Sequence, residues 1–398
     1  MIAPPELPPD FRLAVVLSHP TQYYSPWFRW LAVRAGMNLR VFYLWDFGVA
    51  PTRDPRFQTT VQWDVDLLSG YESEFVPNRS AHPGAESFRG FDNPQLTGRL
   101  AAWRPDAVLL FGYAWLSHLK VIGWARFRGI PIVFRGDSHL LGRPAPGPLR
   151  RLLLGLLFRQ FRAVATVGAA NRRYFETFGV PAARIFFVPH AVDAALFDPS
   201  QPAARGAATE LRTRLALAPA TRVLLFAGKF TPAKQPVELL AAFLELKPAN
   251  TALVFVGDGP EKARLHDLAR TAAPGCVHFL PFANQSEMPA RYLLADIFVL
   301  PSRGIYETWG LAVNEAMHMG VPCLVSDRVG CQEDLVEDGR TGWIFRAEDP
   351  VHLREKLSAA LAADLAALRP RVAARIALYT YAAAAAGLSR ALASLRHL

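Results

Sequence analysis

The chain has 398 residues, room for about two domains at ~150 residues each. With 51% of them hydrophobic, global disorder is excluded. The net charge of +10 comes from 38 arginines and only six lysines against 34 acidic residues, which favours anionic partners: nucleotide sugars, acidic lipid headgroups or nucleic acid.

Short apolar runs alternate with helical stretches, the pattern of βα units around parallel sheets. Strands are expected at 13–17, 39–44, 107–111, 132–134, 164–167 and 185–188, with amphipathic helices at 115–128 and 169–178. This gives a first α/β domain over 1–197. Within it, 45–93 is rich in Trp, Phe, Pro, Gly and Asp and has little periodicity beyond a strand expected at 60–63. So long an irregular stretch is either a binding loop or a locally packed excursion. The looser 198–206 reads as a linker. The βα pattern then restarts, with strands at 222–226, 253–256, 278–280, 297–300 and 322–325 in a second domain over 207–382. The fold class is α/β: two doubly wound, Rossmann-like domains facing across a cleft, with ligand sites at the carboxyl ends of their strands. Cys276, Cys323 and Cys331 are too irregularly spaced for a disulfide framework or a zinc site and fit a reducing cytoplasm. No uninterrupted apolar run approaches the ~18 residues of a spanning helix, and Met1–Glu6 does not read as the start of a signal peptide.

The segment from Glu307 through Thr308, Trp309, Gly310 and Leu311 to Glu315 carries the clearest chemistry. Seven residues separate the two glutamates, and a helix is expected to begin between them. Gly310 lets a ligand approach the backbone, and the N–H groups of a helix start favour an anion such as a diphosphate. A carboxylate further along the helix, Glu315, can accept hydrogen bonds from a diol. Upstream, a strand runs through Gly228 into Lys229, with Lys234 five residues on. Two of six lysines at one strand end suit a pyrophosphate leaving group, whose developing charge needs neutralising. The plainer readings are solvated helix-flank glutamates and surface lysines.

These segments occur in a fixed order: Gly228-Lys229-Phe230 with Lys234, then Gly257-Asp258-Gly259-Pro260, then Glu307 to Met317, then Glu337-Asp338-Gly339-Arg340-Thr341-Gly342. The set resembles the donor-binding half of the retaining glycosyltransferases of family four, which have the GT-B fold. The resemblance covers 205–398 well and implies sugar transfer from a nucleotide diphosphate sugar, with a UDP- or GDP-linked donor, to an acceptor hydroxyl on a glycan, glycolipid or small glycoside. It also implies the roles. Lys229 and Lys234 would hold the diphosphate, and Glu307 the transferred sugar. The backbone of Thr308, Trp309, Gly310 and Leu311 would lie near sugar and phosphate, and Glu315 would bind the ribose. Gly228, Gly257, Asp258, Gly259 and Phe282 would flank ribose and base. Lys229 departs from the arginine usual in the family and offers a point charge in place of a bidentate fork. No metal or cofactor is implied. Residues 188–193, with His190 where the family has asparagine, resemble the interdomain hinge, and 383–398 the helix that packs back on the first domain.

The first domain matches less well. After its first strand the family often has a glycine pair, whereas this chain has none across 18–26. His19, Gln22 and Tyr23 of that loop are the expected acceptor-binding residues, with a donor phosphate as the alternative ligand, against the reading of a plain strand-to-helix turn. Asp137 and His139, just past the strand at 132–134, are expected beside the reacting sugar with Glu307, Lys229 and Lys234 as the catalytic set; Asp137 or Ser138 capping a helix is the alternative. His118 reads as a surface helix residue. The basic, apolar helix at 148–162 either lies on anionic lipid at the inner face of the membrane or packs on the sheet with its arginines extended outward. Two rival functions carry less of this pattern: a nucleotide-sugar epimerase on the same fold, and a nucleic-acid binder, for which no recognition helix or RNA-binding motif is present.

Overall fold

The computed structural model describes residues 7–49, 51–54, 59–272, 275–304 and 307–395. Met1–Glu6, read above for a targeting signal, lie outside them. The chain begins with β1 (Arg12–Leu17), α1 (Tyr24–Val33), β2 (Asn38–Tyr43), a small hairpin β3 (Thr52–Asp54) and β4 (Thr59–Val61), then β5 (Glu72–Phe75), α2 (Leu96–Trp103), β6 (Ala107–Phe111) and α3 (Leu116–Arg128). There follow β7 (Ile132–Arg135), α4 (Pro148–Phe158), β8 (Ala163–Thr166), α5 (Ala169–Thr177) and β9 (Ile185–Phe187). Seven of these strands form one parallel sheet in the order β5-β2-β1-β6-β7-β8-β9. Every residue of β6 is buried, as expected of a strand covered on both faces.

The second half runs α6 (Pro202–Arg214), β10 (Arg222–Ala227), α7 (Pro236–Leu246), β11 (Thr251–Val256), α8 (Lys262–Ala272), β12 (Val277–Leu280), α9 (Met288–Leu294) and β13 (Ile297–Leu300). It continues with α10 (Leu311–His318), β14 (Cys323–Ser326), α11 (Gln332–Leu335), β15 (Gly342–Phe345), α12 (Pro350–Ala362), α13 (Leu365–Ile376) and α14 (Tyr381–Ser394). Its six strands are parallel in the order β12-β11-β10-β13-β14-β15. Each sheet reverses its direction of growth beside its first strand, at β1/β6 and at β10/β13. These are the switch points where such sheets bind ligands.

Alternate residues of β1 serve opposite cores. Leu13, Val15 and Leu17 join one apolar cluster, while Ala14 and Val16 join the other. The first cluster is completed by the chain's last helix: Ala384, Leu388 and Leu392 of α14 pack under β8 and β9. Residues 365–394 are the one stretch among those described that is long and apolar enough to cross a membrane. The stretch is two helices broken at 377–380, where Thr380 caps α14 by accepting from Ala383 N–H. Its apolar residues are used in packing, those of α14 in the first domain's core and those of α13 in the second domain's.

Two expectations need correcting. The stretch 198–206 is not all linker, because Pro202 occupies the first turn of α6. Proline there is a helix start, since it lacks only an N–H that would go unpaired. Segment 45–93 contributes the edge strand β5, paired in parallel with β2. Its sequence, Glu-Ser-Glu-Phe, hid it, because both glutamates belong to an exposed edge.

The docking of α14 leaves no space for a side chain at Gly387, where a Cβ would lie 1.9 Å from the Phe187 carbonyl oxygen. Gly387→Val is expected to lift the helix from β9 and lower stability by about 1–3 kcal/mol, read by urea unfolding. An unchanged midpoint would show that the helix is not held there.

Candidate active site

The cleft between the two sheets encloses about 1010 Å³. It is lined by the loops after β1, β10 and β13, by the start of α10, and by Trp63 and Glu86 of the 45–93 segment. A groove of similar size, about 1060 Å³, lies between α14 and the end of α1. Its walls are mainly Leu, Ala and Pro with few polar groups, so the chemistry belongs to the cleft.

On the second-domain side, β10 runs out through Gly228 and delivers Lys229 and Lys234 to the cleft. The Gly257 turn presses against this strand end: φ is 143°, and a Cβ would lie 2.1 Å from the Gly228 oxygen. Only glycine allows so close an approach. Lys234 Nζ is ion-paired with Glu307 Oε2. Gly310, at φ 101°, turns the chain into α10, so Thr308 to Ala312 face the cavity with the helix N-terminus. The loop is held from both sides. Thr308 Oγ1 donates to Asp137 Oδ2 at 2.7 Å, and Trp309 Nε1 donates to Asn314 Oδ1 at 2.7 Å. Asn314 Nδ2 in turn donates to the His190 carbonyl at 3.2 Å.

Glu315 lies deeper, one turn into α10, and its carboxylate is buried. It accepts from Tyr292 OH at 2.7 Å, Gln285 Nε2 at 2.9 Å and Tyr23 OH at 3.0 Å. Burial pushes this carboxyl up from its usual range, against three hydrogen bonds that favour the anion. Tyr23 comes from the first domain, so this cluster ties the two halves together. Its hydroxyl is pushed far up by burial and by the facing carboxylate and remains protonated.

The expected site residues divide. Tyr23, expected to serve the acceptor, lines the cleft and donates its hydroxyl to Glu315, the residue expected to bind the donor's ribose. Gln22 does line the cleft. His19 does not: its ring packs edge-on against Trp45 and Phe47 at 6.0 and 5.4 Å, and burial pushes it down to about 4. His139 does not line the cleft either. Its Nδ1 accepts from Leu141 N–H at 3.1 Å, and Nε2 is 3.2 Å from the Glu307 carbonyl oxygen. With both ring nitrogens bound to backbone, it supports the Glu307 loop. Asp258 is spent locally, pairing with Lys262 at 2.7 Å and accepting from Gly259 N–H at 2.8 Å. Gly259 is a packed turn whose Cβ would meet the Phe230 oxygen at 2.7 Å. His118 is fully buried beside Trp115, not on the surface, and burial pushes its basicity down to about 3.

Asp137, Phe282 and Gly257 do line the cleft. Burial alone would raise the Asp137 carboxyl, but the His190 ring, 3.9 Å away, and the Thr308 hydroxyl hold it below its usual range. His190 also lines the cleft and packs 5.7 Å from the Trp309 ring. The sequence marked His190 only as a hinge position. Tyr292 and Gln285 went unseen, because one helical tyrosine or one loop glutamine carries no pattern.

Sequence and structure comparisons bear on the family and the fold. Residues 208–376 match the family model "Glycosyl transferases group 1", and 29–196 match "Glycosyltransferase Family 4". A D-inositol 3-phosphate glycosyltransferase of Thermomonospora curvata is 31% identical over 321 residues, 72% of each chain. Among solved structures, a glycosyltransferase from Rickettsia africae superposes with a TM-score of 0.75 at 13% identity, covering 98% of this chain and 99% of that one. Anabaena Alr3699/HepE, solved with UDP and glucose, gives 0.70 at 17% identity over 96% of this chain and 100% of that one. At such identities the likeness concerns fold alone. With both halves of the chain matched by family models and a relative above 30% identity, the chain belongs to the family 4 glycosyltransferases of GT-B fold.

Proposed function

We propose that this glycosyltransferase moves a sugar from a nucleotide diphosphate donor to an acceptor hydroxyl, with retention at the anomeric carbon. The observation that carries the reading is the convergence of Lys229, Lys234 and the α10 N-terminus in one cleft that also holds the buried Glu315. The diphosphate lies between the two lysines and the helix start, where backbone N–H groups and fixed cations meet developing negative charge. Glu315 takes the ribose diol, and Glu307 the hydroxyls of the transferred sugar. Tyr23 OH takes a hydrogen-bonding position on Glu315 for which a ribose hydroxyl would compete, and Lys234 pairs with Glu307.

In the transfer step the bond from the anomeric carbon to phosphate oxygen breaks. The bond to the acceptor oxygen forms on the same face, and the acceptor proton passes to the leaving phosphate. No enzymic nucleophile is required. Asp137, held by Thr308 and His190, faces the cleft from the first domain and orients the acceptor with Gln22. Closing of the two halves over the donor excludes water that would hydrolyse it. The free buried thiols Cys323 and Cys331 support a cytoplasmic setting. A panel of UDP- and GDP-sugars, read by nucleotide release with and without acceptor hydroxyls, tests the reading. NMR of the product reads its anomeric configuration. An inverted product would end the retaining mechanism, and donor isomerisation without acceptor would favour an epimerase.

Three further outcomes are expected. Glu315→Ala should weaken nucleotide diphosphate binding by roughly 1.5–3 kcal/mol for each charged hydrogen bond lost; unchanged calorimetric affinity would remove it from the site. Tyr23→Phe should tighten nucleotide diphosphate binding by about 1 kcal/mol, because the competing hydroxyl is gone; weaker binding would mean that Tyr23 touches the donor itself. Lys234→Ala should raise the barrier to turnover by roughly 3 kcal/mol and also cost stability, because Lys234 and Glu307 are only 23% and 11% exposed and the glutamate is left buried without its partner; turnover is therefore read at a temperature where circular dichroism shows the variant folded. Wild-type turnover in that variant would reduce the lysine to surface charge.

A further inference from the structure

Helix α4 turns its leucines outward. Leu149, Leu152, Leu153 and Leu156 are 67%, 59%, 57% and 46% exposed. Their i, i+3, i+4, i+7 spacing puts them on one face. The opposite face accounts for the helix's packing: Leu154 and Leu157 lie against the core that contains Phe158, Phe161 and Phe175. Gly155 brings the helix close to the Phe178 carbonyl, where a Cβ would stand at 3.3 Å. The alternative of a helix that spends its apolar residues on the sheet therefore holds for one face only.

The charge around this stripe has one sign. From 138 to 175 the sequence contains seven arginines and no aspartate or glutamate. Arg172 and Arg173 are paired with Glu176 and Glu333. Arg150 and Arg151 on α4, with Arg159 and Arg162 just beyond it, are all exposed. An apolar ladder with a cationic border fits a layered partner, apolar below and anionic above. A protein groove suited to the leucines would have to supply acidic residues around its rim as well.

We propose that the outward face of α4 is a docking surface for an anionic lipid bilayer, with the four leucines entering the headgroup–acyl boundary and the flanking arginines meeting lipid phosphates. The loop that enters α4 from β7 carries Asp137, which faces the cleft. Docking therefore holds the cleft near the lipid surface, within reach of acceptors anchored there. The surface rests on α4 alone, and only this consequence for the acceptor depends on the sugar-transfer reading.

The test is cosedimentation of the full chain with vesicles of phosphatidylcholine alone and with ~30% phosphatidylglycerol. Binding is expected to the anionic vesicles only, and to fall steeply at about 0.5 M salt. Leu153→Gln with Leu156→Gln should reduce partitioning about tenfold or more. Both side chains are exposed, so circular dichroism and nucleotide affinity should be unchanged. Failure of the wild-type chain to bind anionic vesicles would overturn the proposal, as would equal binding of the double variant or equal binding to neutral vesicles. A dimer in size-exclusion chromatography that the same variant dissolves would assign the stripe to self-association instead. Nucleotide release measured without vesicles reports separately on sugar transfer.

Discussion

The buried carboxylate of Glu315 is the group around which the two halves meet. A carboxylate taken from water must recover its hydrogen bonds. Here α9 supplies a tyrosine, the segment before it a glutamine, and the first domain another tyrosine. Two of the three partners are fixed within the second domain. The third crosses the cleft, so separating the halves would cost Glu315 a hydrogen bond unless another hydroxyl replaces Tyr23. A ribose diol is such a replacement. Under the proposed function, the same carboxylate would couple the domain arrangement to occupancy of the donor site.

Around it the site is organised by backbone geometry more than by side-chain reach. Positive φ at Gly257 and Gly310 brings a strand end and a helix start against one space. The lysines then have short distances to cover, and Lys234 already has Glu307 as partner. His139, binding backbone on both ring nitrogens, and Asp137, accepting from Thr308, hold the Glu307–Gly310 loop from the first domain. A loop fixed by so many contacts needs little reorganisation when charge develops, the condition under which electrostatic stabilisation is most effective.

Much of this was legible in sequence, for identifiable reasons. The central strands are apolar on both faces and announce themselves. Gly310, Glu307 and Glu315 are close along the chain, so one local motif carries both the helix start and the carboxylates. What was not legible depends on tertiary contact. The partners of Glu315 lie 23, 30 and 292 residues away. Asp258 sits in a motif associated with donor binding, yet its carboxylate satisfies Lys262 and a turn amide. His19 and His139 are polar residues at strand ends, and only packing decides that one enters an aromatic cluster and the other binds backbone. Pro202 marked a helix start although it read as a linker residue, because proline serves both.

A crystal structure of the chain with a nucleotide diphosphate bound tests the proposed donor site most directly. The diphosphate is expected between Lys229, Lys234 and the N-terminus of α10, with both ribose hydroxyls on Glu315 and the Tyr23 hydroxyl displaced from it. A nucleotide bound elsewhere, or bound in the cleft with the Tyr23–Glu315 hydrogen bond intact and no contact to either lysine, would contradict it.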